Sequence, residues 1–143
     1  MESHETGSQH MHAGHHEHCG PGYASPKEAM QAEREKILYV NALYTGTDID
    51  EPDYLATVDV DPASATYSRV IYRTPMPNLG DELHHFGWNA CSSCHLDHTK
   101  SRRYLIVPGF RSSRIHIIDT MEERAPKMFK VIEPEEVRRK TNL

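Results

Sequence analysis

Six short runs of β-branched and aromatic residues constrain this chain more than any other feature. They are Ile37 to Val40, Tyr54 to Val60, Arg69 to Tyr72, Tyr104 to Val107, Arg114 to Ile118 and Met128 to Ile132. Such side chains fit a pleated, half-buried surface, and the Gly, Pro, Asp and Ser residues between the runs mark turns. Short strands separated by turn signals predict an antiparallel all-β architecture. One surface helix is expected ahead of them, from Ser25 to Lys36. Ser25 can cap it, Pro26 falls at its first position and Glu28 lies three residues after the cap.

The runs also repeat. Val58-Asp59-Val60-Asp61-Pro62 followed by Val70 to Pro75 is answered by Ile117-Ile118-Asp119-Thr120 followed by Lys130 to Pro134. Each reads strand, acidic turn, strand, proline, at an offset of roughly 60 residues, longer than the ~40–50 of common propeller blades but compatible with inserted loops. A propeller removes its sheet edges by closing a ring of typically 4–8 blades, which two blades cannot do. Two outcomes stay open at this point: a piece of a longer propeller, or a small β-sandwich.

Composition separates the beginning of the chain from the rest. Residues 1 to about 26 are rich in His, Gly, Ser and Glu without an apolar period, so burial cannot offset the entropy of ordering them. Residues 1–20 are assigned as a disordered His-rich tail, and 21–143 as the folded portion. The tail carries His4, His10, His12, His15, His16 and His18 before Cys19, a spacing that suits weak chelation of a divalent ion. With a mean hydropathy of -0.69 and a net charge of -5, the chain has no general attraction for nucleic acid. No segment approaches the ~18 apolar residues of a membrane span. Met1 to Glu5 lacks a secretory pattern, so a cytoplasmic location is expected. The basic cluster Arg138-Arg139-Lys140 is expected to be a solvated tail.

The residues that carry chemistry lie between Pro75 and Cys94, a long connection of the kind that is usually functional or disordered. His84 and His85 offer two imidazoles suited to copper, zinc or iron. Neighbouring side chains on a strand point to opposite faces, so both reach one ion only if the backbone turns here. Asp81 and Glu82 are placed to orient the rings from behind; the plain alternative is an exposed polar loop. Cys91-Ser92-Ser93-Cys94 is half of a zinc-knuckle pair, and no βαβ unit supports a thioredoxin-like motif. With His95 it matches the C-x-x-C-H haem pattern, against which the missing export signal argues. Two polarizable thiols beside imidazoles also suit copper(I) or selenium, and two inert buried cysteines remain the structural alternative.

With these residues in view, the chain resembles the selenium-binding protein family, which includes methanethiol oxidases. The likeness runs from Cys19-Gly20-Pro21-Gly22-Tyr23 to about Pro134. It is most specific at Pro52 to Pro62, at Asp81 to Asn89 with Cys91 and Cys94, at Arg124-Ala125-Pro126-Lys127 and at Lys130 to Pro134. The resemblance implies a seven-bladed β-propeller, of which this stretch makes about the first two blades. It also implies copper-dependent oxidation of methanethiol to formaldehyde, hydrogen sulfide and hydrogen peroxide. His84 and His85 match candidate copper ligands, and Cys91 and Cys94 match a proposed selenium or thiol site. Methanethiol or another small thiol is then the substrate. Members of the family are much longer and carry further histidine motifs, so this stretch alone is expected to be inactive. A selenium or metal carrier without turnover and a haem-bearing electron carrier are the competing classes.

Overall fold

The computed structural model describes residues 20–141. Its strands are β1 (Ile37–Ala42), β2 (Tyr54–Asp59), β3 (Val70–Pro75), β4 (Gly87–Trp88), β5 (Tyr104–Pro108), β6 (Ile115–Asp119) and β7 (Lys127–Ile132). They form two antiparallel meanders, β1-β2-β3 and β4-β5-β6-β7. The all-β expectation holds, and each of the six runs is a strand with ends shifted by up to three residues. Only the two-residue β4 has no counterpart in the pattern of the sequence.

The internal echo is present in the backbone itself. Register shifts interrupt the β2–β3 pairing between Thr57 and Val58 and the β6–β7 pairing between Ile117 and Ile118, at equivalent places. Just beyond each bulge an aspartate closes the strand: Asp59 Oδ1 accepts from the Asp61 amide, and Asp119 Oδ1 accepts from the Met121 amide. The next amide in each copy returns to the chain before the preceding strand, Val60 N to Lys36 O and Thr120 N to Arg103 O. Each aspartate also holds an arginine, Arg124 on Asp59 and a two-pronged Arg103 on Asp119. Shared bulge, turn and ion pair make these two copies of one unit.

Alternation along β5 and β6 turns Leu105, Val107 and Ile118 inward. They join Leu55 from the first sheet, Met76 just past β3, and Leu83, with Tyr39, Phe86 and Met128 against them. Both sheets therefore share one core. Polar contacts from the β6–β7 connection lock it. Arg124 Nη2 lies 2.8 Å from Asp59 Oδ2, the Tyr39 hydroxyl donates to Glu123 O at 2.8 Å, and the Thr74 hydroxyl donates to Pro126 O at 2.8 Å. Arg124, then the Ser64 and Thr66 hydroxyls, hold the Asp59 carboxyl well below the usual carboxylate range. The stabilisation from this clasp is present above the unfolded carboxylate's pKa of about 4 and is lost as pH falls through the lower folded value. Burial, followed by the Glu123 charge, pushes Tyr39 up to about 12, so its hydroxyl stays a donor.

Three expectations need correction. The helix predicted over Ser25–Lys36 is only α1, Pro26–Ala29, although Ser25 caps it by accepting from the Glu28 amide. None of its residues is buried, so no tertiary contact supports more than one turn. The basic cluster at Arg138 to Lys140 belongs to a second helix, α2, Pro134–Thr141. Glu135 and Glu136 stand at its positive end and the basic residues at its negative end. Lys130 and Lys140 both reach Glu136, which fastens α2 to β7. Third, residues 20–26 do not behave as the tail composition suggests, since Pro21 is buried. The remainder of the assigned tail, with its histidines and Cys19, lies outside the described residues.

Leu105 is fully buried at the junction of the two sheets. Leu105→Ala is expected to lower unfolding free energy by about 2–5 kcal/mol through lost burial and the cavity left behind. Urea unfolding followed by tryptophan fluorescence measures this, and a loss well under ~1 kcal/mol would contradict a single shared core.

Candidate functional site

The segment carrying His84 and His85 is built from its base upward. Glu82 has φ of 53°, a left-handed turn that takes the chain out of strand geometry. Leu83 then makes an isolated bridge to Gly109. The Leu83 amide donates to the buried Asp53 Oδ2 at 2.9 Å, the Asn41 side-chain amide donates to His84 O, and the His84 amide donates to Pro108 O. Both sheets thus grip the backbone on either side of the first histidine.

That turn overcomes the alternation of a strand. The Nδ1 atoms of His84 and His85 are 3.0 Å apart, the rings stand nearly perpendicular, and both are exposed. Phe110 flanks the His84 ring at 5.4 Å between centroids. The contact is an N–H···N hydrogen bond between the rings, and two nitrogens bound at ~2.0–2.1 Å and at right angles to one ion would also lie about 3 Å apart, so an ion would take the place of the shared proton without moving the rings far. Among the described residues no third His, Cys, Asp or Glu completes a cluster with them. The donor set fits an imidazole-binding metal such as copper as a half-site.

Asp81 and Glu82 do not orient the rings. Asp81 is fully buried and receives Arg114 Nη1 at 3.0 Å, with His116 Nε2 3.2 Å from its other oxygen, while Glu82 pairs with Arg111 at 3.4 Å. Arg114 also reaches Glu133 at 2.9 Å. Asp81 and Arg114 therefore brace the floor of the loop. His116 had a signal that sequence reasoning overlooked: it shares the inward face of β6 with Ile118, an odd position for an imidazole. Its Nδ1 faces Val107 O at 3.1 Å. Asp53, the anchor of Leu83, had no comparable signal, because its partners are backbone amides.

The second group of predicted residues also converges. Cys91 precedes a 3-10 turn over Ser92–Cys94, and its Sγ is 4.0 Å from Cys94 Sγ and 2.7 Å from Ser93 Oγ. Both thiols are free; Cys91 is exposed and Cys94 is half-buried, which removes the reading of two inert buried cysteines. The Ser93 hydroxyl, then the Ser93 amide and the Cys94 thiol, hold the Cys91 thiol below its ordinary pKa. Arg102 donates to Ser92 Oγ at 3.1 Å and places a positive charge on the turn. Gly20, at φ of 80°, sits against the carbonyls of Cys94, His95 and Asp97 so closely that a Cβ would collide with them. His95 turns its Nδ1 toward Ser92 O at 3.3 Å rather than toward the thiols.

Comparison with known proteins gives the chain a family. The profile of the 56kDa selenium binding protein family matches residues 17–143, and the chain belongs to that family. It is 61% identical over 126 residues to a methanethiol oxidase of Rattus norvegicus, covering 87% of this chain and 27% of that protein. To selenium-binding protein 2 of Arabidopsis thaliana it is 60% identical over 125 residues, covering 87% and 26%. The crystal structure of a hypothetical selenium-binding protein from Sulfolobus tokodaii superposes with a TM-score of 0.76 at 56% identity, over 82% of this chain and 27% of that one. The chain spans about a quarter of the length of these relatives.

Because its hydrogen bonds favour the thiolate, Cys91 is expected to alkylate with a pH midpoint below that of an unperturbed thiol, ~8.5. Ser93→Ala should move the midpoint upward. Iodoacetamide labelling across pH, read by peptide mass spectrometry, measures both, and an unmoved midpoint in the variant would remove the hydroxyl as the cause.

Proposed function

We propose that this chain supplies part of the metal site and the thiol site of a copper-dependent methanethiol oxidase whose remaining ligands lie in further propeller blades. The approach of the His84 and His85 Nδ1 atoms to 3.0 Å carries the metal assignment. The two repeated units serve as the first blades. Val70 and Tyr72 on β3 and Phe129 on β7 are exposed large side chains suited to packing against further sheets. Bound copper would supply thiol activation and electron transfer to oxygen. The protein holds the two imidazoles as a preorganised pair on a braced turn, so little ordering entropy is lost when a metal arrives. The substrate is methanethiol or a similar small thiol, and the whole protein acts in the cytoplasm. Selenium is held at Cys91, an exposed and activated thiol, together with its neighbour Cys94. That exposure equally suits a selenium carrier without turnover, which is the second reading.

In a full-length relative bearing this histidine pair, replacing both histidines with Ala is expected to remove most bound copper and to abolish hydrogen sulfide release from methanethiol. Elemental analysis and sulfide detection read the two effects separately. Copper content unchanged by the double replacement would sink the ligand assignment. A copper-loaded parent that releases no sulfide would favour the carrier. The 143-residue chain by itself is expected to release none.

A further inference from the structure

The thiol pair is built on one local turn, apart from the histidine pair. Cys91 is the exposed member, with its sulfur 2.7 Å from the Ser93 hydroxyl. Cys94 is the sheltered member, 4.0 Å away across a single 3-10 turn. Two sides of that turn are fixed. Gly20 is packed on its carbonyls, and Gly22 leaves room for the Arg102 guanidinium beside Ser92, where a Cβ would lie 2.9 Å from Arg102 Nη2. An exposed sulfur in a hydrogen-bonding setting, with a second thiol held behind it, is the arrangement of an attacking and a resolving cysteine.

We propose that Cys91 and Cys94 are a peroxide-reactive dithiol, in which Cys91 is oxidised first and Cys94 closes the disulfide. The Cys91 thiolate attacks one oxygen of hydrogen peroxide; an S–O bond forms, the O–O bond breaks, and the leaving hydroxide takes the one proton that the Cys91 thiol gave up and departs as water. The sulfur loses two electrons to the peroxide and becomes a sulfenic acid. The Cys94 thiolate then attacks that sulfur, forming the S–S bond and breaking the S–O bond, and the released hydroxide takes the proton that Cys94 gave up. The net change is two thiols and one peroxide to one disulfide and two waters. The Ser93 hydroxyl lowers the cost of the thiolate in the first step. The sheltered position of Cys94 keeps it from competing as the first target. Closure would withdraw both sulfurs from any selenium or soft metal.

Peroxide titration of the reduced 143-residue chain, followed by mass spectrometry of peptides cut without reductant, tests the proposal. The expected product joins Cys91 to Cys94. In a Cys94→Ser chain the expected product is a sulfenic acid on Cys91, trapped with a 1,3-dione reagent. In a Cys91→Ser chain oxidation of Cys94 is expected to be roughly tenfold slower than that of Cys91 in the parent, because the hydrogen-bonded thiolate is missing. The parent in urea should lose most of its rate, since the turn that sets the reactivity is gone. A disulfide to Cys19, links between chains, first oxidation at Cys94, or an unchanged rate in urea would each overturn the assignment.

Discussion

The buried carboxylate of Asp53 is the interaction on which the rest depends. One of its oxygens accepts from the Tyr44 amide at 2.8 Å and the other from the Leu83 amide at 2.9 Å, while its own carbonyl accepts from Met76. Those contacts join the ends of β1 and β3 to the turn that enters the second sheet. An unpaired buried amide costs on the order of 1–3 kcal/mol, so a carboxylate that satisfies two of them fixes where the chain can pass. Leu83 is thereby set in the shared core, and the next two residues are the exposed histidines. The pairing of the two exposed imidazoles is a consequence of an anchor one residue away from it.

Repetition explains why the second sheet mirrors the first. A bulge strengthens local twist and ends pairing, and an aspartate just beyond it can cap the turn with its own side chain. Both copies use this device at Asp59 and Asp119, yet they spend the arginine differently. Asp119 holds Arg103 within its own sheet, whereas Asp59 holds Arg124 from the neighbouring one. The same local unit thus serves once as a strand end and once as a link between sheets.

Much of this was legible in the sequence because it is written in short periods. Alternating apolar residues at Leu105, Val107 and Ile118 give the strands and the core face, and the Asp-turn echo gives the repeat. Cys91 and Cys94 stand three apart and meet across one turn, so their proximity followed from spacing alone. The helix α2 was written in its charges, acidic residues before basic ones, and was missed because it has so few apolar residues. What no local pattern could show is pairing over distance. Asp81 looked like a partner for the histidine rings because it is near them in sequence, but Arg114, just ahead of β6, pairs with it, and the buried His116 ring lies beside it. The convergence of His84 and His85 likewise required the left-handed Glu82, a non-glycine residue whose conformation its identity does not announce.

The two sites differ in how they are made. The thiol pair is local, a turn that Gly20 and Arg102 stabilise from outside. The histidine pair is a product of tertiary structure and exists only while both sheets hold Leu83 and His84. The Leu83 amide therefore tests the account most directly, through native-state hydrogen exchange of the parent and of Asp53→Ala. The account predicts that this amide is protected as strongly as those of β5 in the parent and loses that protection in the variant, while β5 and β6 stay protected. Fast exchange of Leu83 in the parent, or protection that survives the loss of the carboxylate, would contradict it.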